Sequence, residues 1–178
     1  MDDVDASPPP VEIEETKVIL AAVDTSTLAS TVVELASRMA RRTWPASQLY
    51  ILHVFRSSRV DRPSSVGLNR GALLGDARSY LDYHVRAARK LSTGPVVGLF
   101  AEGDPSDEIV RAARSIKADL VVVGTEDIAG IERFLLGSVA TQIAKRAPCS
   151  VVIVRRKQRS YVRSEPTHSA SSGRRSKA

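Results

Sequence analysis

Cysteine is almost absent from this chain of 178 residues. The single one, Cys149, cannot close an internal disulfide, which agrees with a reducing compartment. Aromatic residues make up only 4%, which argues against a stacking surface for single-stranded nucleic acid. No apolar run approaches the roughly 20 residues of a membrane span. The amino terminus, MDDVDASPPPVEIEE, has neither the basic start nor the apolar stretch of a secretory signal. Of the three histidines, His53 and His84 read as packed core residues, and no pair has metal-ligand spacing. No set of nucleophile, base and orienting group emerges. The expectation is a cytoplasmic protein that is not an enzyme and has no metal centre and no membrane contact. Cys149 reads as a small buried residue ahead of a strand, and Trp44 as a packed loop residue.

Acid and base are present but segregated. Residues 1–16 carry six acids and no Lys or Arg, whereas residues 155–178 carry eight Lys or Arg and one acid. Neither end shows periodic apolar residues, so 1–16 reads as a disordered acidic tail and 157–178 as a disordered basic tail. The basic tail is a solvated extension, with weak contact to nucleic acid or an acidic partner as its second reading.

Between the tails, residues 17–156 form one domain. Apolar strand-like runs occupy Lys17–Val23, Gln48–Phe55, Pro95–Ala101, Asp119–Gly124 and Ser150–Arg155. Helical spacing fills the gaps. Ser26–Arg42 presents Leu28, Val32, Leu35, Ala36 and Met39. Ala72–Leu91 presents Leu73, Ala77, Leu81, His84, Ala88 and Leu91. Asp104 and Pro105 start a third helix with Ile109, Ala112, Ala113 and Ile116 as its stripe, and Ser138–Ala147 is a fourth. Alternating strands and helices predict a doubly wound α/β domain, its mostly parallel sheet covered by helices on both faces.

Ligands in such sheets bind beyond the carboxyl ends of the strands. Asp24 follows the first strand and Gly124 ends the fourth. Gly137 and Ser138 open the last helix, whose free N–H groups and dipole favour an anion. The plainer readings stand beside these: Asp24 as the cap of a turn or helix, Gly137 as a turn residue, Ser138 as an N-cap.

The stretches VILAAVDTS, LYILHV, the GDP-led helix running into ADLVVVG, and GTEDIAGIERFLLGSVATQIAKRAPCSVVIVR together resemble the universal stress protein family over about residues 17–156. The resemblance implies a five-stranded sheet in the order 3-2-1-4-5 and dimers, often made through the last strand, here Val151, Val152, Ile153 and Val154. Nucleotide-binding members carry glycine, two residues, glycine, nine residues, then glycine with Ser or Thr. Gly124, Gly137 and Ser138 match that pattern. Asp127 stands at the middle glycine. The resemblance also assigns Asp24 and Val54 to the adenosine end and matches Val139. The candidate binding set is therefore Asp24, Val54, Gly124, Thr125, Asp127, Gly137, Ser138 and Val139.

Asp127 adds a Cβ and a charge where phosphate should lie, and Glu126 stands beside it. Two functions follow. One is a dimeric stress-response module that has lost nucleotide, holds no cofactor and acts through protein interaction. The other is a sensor of ATP or another adenine nucleotide, with Arg133 or a divalent cation offsetting the carboxylates. The carboxylates tilt the sequence toward the first.

Overall fold

In the computed structural model the described residues are 18–42, 47–56, 69–125 and 137–155. Both tails, Trp44, Glu126, Asp127 and Arg133 lie outside them. Nine elements alternate: β1 (Val18–Val23), α1 (Ala29–Arg42), β2 (Gln48–Phe55), α2 (Arg70–Leu91), β3 (Val96–Glu102), α3 (Pro105–Ser115), β4 (Leu120–Thr125), α4 (Ser138–Arg146) and β5 (Ser150–Arg155). The sheet order is β3-β2-β1-β4-β5 and every pairing is parallel. This is the expected doubly wound architecture.

The strands are apolar throughout because both faces are covered. Along β1, Ile19, Ala21 and Val23 face a core shared with α1 and α2, while Leu20 and Ala22 face α3 and α4. Ile19 and Leu20 are fully buried, and each such side chain stabilises the fold by about 1.5–3 kcal/mol. His53 and His84 are buried, as expected of core residues. Among the described residues no helix is long and apolar enough to cross a membrane.

The helix stripes need correction. In α3 the buried positions are Ser106, Ile109, Val110 and Ala113, with Ala112 and Ile116 only half-buried. In α2 they are Leu81, His84, Val85 and Ala88. Leu73 and Ala77 belong to a crevice wall instead. In α1, Leu35 and Met39 are half-buried at the margin, and Ala29, Val33, Ser37 and Ala40 join Val32 and Ala36 inside. A helix against a twisted sheet also meets its neighbouring helix, so its buried face is wider than a single stripe.

Because all strands run the same way, their carboxyl ends line one edge. β1 and β4 are neighbours there, with Ala22 opposite Val123. On the other side Val23 stands opposite His53. Counting on from these registers puts Asp24 level with both Val54 and Thr125.

Candidate functional site

A crevice of about 910 Å³ opens over this edge, within the range of small-molecule sites. Asp24, Val54, Tyr80, Pro105, Gly124 and Val139 contribute to its wall, from six different elements or their ends. Four of the eight candidate residues therefore share one cavity. Ser138 is exposed as the first residue of α4 and is not part of the wall. Thr125 and Gly137 form a different device. Asp127 lies outside the described residues.

The turn after β1 is built from local side-chain bonds. Asp24 Oδ1 accepts from the Ser26 N–H at 3.0 Å, and Ser26 Oγ accepts from the Leu28 N–H at 3.2 Å. Such bonds compete with helix formation, so α1 starts at Ala29 rather than Ser26. Asp24 does cap a turn, as the plainer reading held. Its residue remains exposed on the crevice wall.

Gly124 has a packing reason for its missing side chain. A Cβ there would lie 3.3 Å from Leu28 Cβ and 3.4 Å from Val32 Cγ2. The glycine lets the end of β4 approach α1, which adds to the expectation of close approach to a ligand.

Thr125 is buried, and its Oγ1 accepts from the Gly137 N–H at 3.1 Å. This clasp joins the end of β4 to the start of α4. Gly137 is the N-cap of α4 and brings no side-chain hydrogen bond to it. By contrast, Asn69 caps α2 and Asp104 caps α3 with carboxyl or amide oxygens. At α3 the hydrogen bond from Ser106 Oγ holds the Asp104 carboxyl below the usual carboxylate range. The first turn of α4, whose N–H groups have no partner within the helix, contains Val139, a crevice residue.

Among the described wall residues, Arg56 supplies the one Lys or Arg, against the carboxylates of Asp24 and Asp76. Sequence reasoning missed Arg56, Asp76, His53 and Tyr80. Two of them are reachable from sequence features: Arg56 comes directly after the second strand, and Asp76 shares a helix face with Leu73 and Tyr80.

The universal stress protein family model matches residues 15–155. The chain belongs to the universal stress protein family. A universal stress protein of Bacillus subtilis is 28% identical over 148 residues, covering 77% of this chain and 97% of the relative. One from Methanocaldococcus jannaschii is 51% identical over 55 residues, which is 31% of this chain and only 32% of that relative. The solved universal stress protein of Archaeoglobus fulgidus in complex with dAMP has a TM-score of 0.53 at 24% identity, covering 78% of this chain and 96% of its own.

Proposed function

We propose that this universal stress protein is a non-catalytic cytoplasmic module whose crevice takes an adenine nucleoside monophosphate in preference to the triphosphate. The observation that carries the reading is the crevice itself, lined by Asp24 after β1 and by Val139 in the first turn of α4. Asp24 and Val54 suit the adenosine half. The α4 N-terminus suits one phosphate group. The described wall has two carboxylates against one guanidinium, and Asp127 stands at the middle glycine position. Both features oppose a longer anionic chain. The dAMP complex of the Archaeoglobus fulgidus relative supports a monophosphate ligand in this fold.

Calorimetry at fixed ionic strength checks it. AMP is expected to bind at least about 10-fold more tightly than ATP, equivalent to roughly 1.4 kcal/mol. ATP binding more tightly than AMP would reject the reading. So would freshly purified protein that releases ATP and no monophosphate.

A second element of the proposal is a homodimer through β5, through which the module meets its partners. β5 is an edge strand, paired only with β4 in the sheet order. Val151, Val152 and Ile153 are only half-buried there, whereas Val154, expected in the same edge, is buried in the core. An apolar open edge invites pairing with another strand. Val152→Pro or Ile153→Pro is expected to shift the protein toward monomer or aggregate, read by light scattering. A wild type that is monomeric at micromolar concentration would remove the dimer from the proposal.

A further inference from the structure

Two carbonyls in succession at the end of β1 are held by ring side chains from other elements. The Tyr80 hydroxyl donates to the Asp24 carbonyl oxygen at 2.6 Å. His53 Nδ1 lies 2.9 Å from the Val23 carbonyl oxygen, so that nitrogen carries the proton. The two rings are themselves in contact, with centroids 5.4 Å apart, and Tyr80 meets His84 edge-on at 4.6 Å. Tyr80 is thus wedged between two buried histidines, yet both His53 and Tyr80 reach the crevice wall.

The helix that carries Tyr80 is capped at its start and tied to β3, the edge strand beyond β2. Asn69 Oδ1 accepts from the Gly71 N–H at 2.9 Å at its start. Arg70 pairs with Glu102 at the end of β3 at 2.5 Å, and the Arg78 guanidinium sits 5.1 Å from the centre of the Phe100 ring. A rigid helix therefore hands its position to the main chain of Asp24 through one hydroxyl. Among the described residues, the Asp24 carboxylate is oriented by its own turn, through Ser26. Whatever sets that turn sets the carboxylate, and recognition tolerates errors of only about 0.5 Å.

We propose that Tyr80 is a positioning residue: its hydroxyl fixes the β1–α1 turn so that Asp24 can receive the nucleoside half of a ligand. The inference rests on the crevice being a nucleotide site, and adds α2 as the element that tunes it. Burial, with the Asp24 charge added, pushes the Tyr80 phenol above its ordinary pKa, so the donor persists at neutral pH. Burial and the neighbouring His53 push the His84 imidazole down, which favours its neutral form beside the Tyr80 ring.

The test uses the full chain and two probes, adenosine and AMP. Tyr80→Phe removes the hydroxyl and keeps the ring. Its expected effect is a loss of roughly 5–20-fold in affinity for both probes alike, the scale of one hydrogen bond. The ratio of AMP to adenosine affinity should not move, because the phosphate end is untouched. General loosening of the fold would also weaken both probes alike, so thermal melts are read beside the titrations: an affinity loss that merely tracks a large fall in Tm would overturn the inference. Asp24→Asn should weaken both probes in the same way, and adding Tyr80→Phe to it should cost little more, since one acts through the other. Unchanged adenosine affinity in Tyr80→Phe, or full additivity in the double variant, would overturn the positioning role while leaving the crevice reading in place. A wild type that binds neither adenosine nor AMP would overturn both.

Discussion

Replacing Asp127 with glycine is expected to raise the affinity for ATP by roughly 5- to 150-fold, or 1–3 kcal/mol. The position corresponds to the middle glycine of the phosphate-binding pattern that Gly124, Gly137 and Ser138 otherwise complete. A carboxylate and a phosphate oxygen about 4 Å apart repel by about 1 kcal/mol in bulk water and about 4 kcal/mol at an effective dielectric near 20. The described crevice wall has little to offset this, because Arg56 is matched by Asp24 and Asp76. The Cβ adds a steric obstacle to backbone approach. Asp127→Asn separates the two causes: it removes the charge and keeps the bulk, so it should recover only the electrostatic part. AMP should gain less than ATP from either change, and adenosine should respond little. Calorimetry with the three ligands on the three proteins reads all of this. Tight ATP binding by the wild type that Asp127→Gly leaves unchanged would show that the carboxylate does not oppose the phosphates.

The domain was legible in the sequence because its strands are buried on both faces. Runs such as VILAAV and LVVV have no polar alternation to confuse with loops, and the helices between them leave parallel crossover as the natural topology. Boundaries were less legible where side chains bond the backbone locally. The Asp24–Ser26–Leu28 turn delays α1 to Ala29, and the Asn69 cap brings α2 forward to Arg70. Asn69 is a good N-cap type, so that boundary signal is in the sequence. Asp24 and Gly124 share one crevice because parallel register aligns the strand ends, whereas Val54 and Val139 were named through the family resemblance. What periodicity could not reveal was the role of Tyr80. It bonds a carbonyl 56 positions away in the chain, and its helix face looks like any other core stripe. The packing reason for Gly124 was hidden in the same way, since Leu28 and Val32 approach it only in the fold.

Gly137→Ala is expected to destabilise the protein by about 1–3 kcal/mol, the usual range for overpacking, and to lower Tm by roughly 2–12 °C. Backbone freedom is not the reason. Gly137 has φ −53° and ψ 147°, a conformation open to every residue. Space is the reason: an added Cβ would lie 2.9 Å from Thr125 Oγ1, inside van der Waals contact. Thr125 is buried at the end of β4, opposite Arg155 of β5, so it cannot swing clear as a surface side chain would. Either α4 moves or the clasp from the Gly137 N–H to Thr125 Oγ1 lengthens and breaks. Both outcomes shift the start of α4, so AMP affinity should fall with stability while adenosine affinity holds. Thr125→Ala tests the cause, since it removes the obstructing oxygen together with the acceptor. It should destabilise by itself, because it leaves the Gly137 N–H without its partner, at about 1–3 kcal/mol. In that background Gly137→Ala should then cost clearly less than in the wild type, a coupling on the order of 0.5–3 kcal/mol. Thermal melts of the four proteins measure it. Equal losses for Gly137→Ala in both backgrounds would mean that the contact with Thr125 is not what keeps residue 137 a glycine.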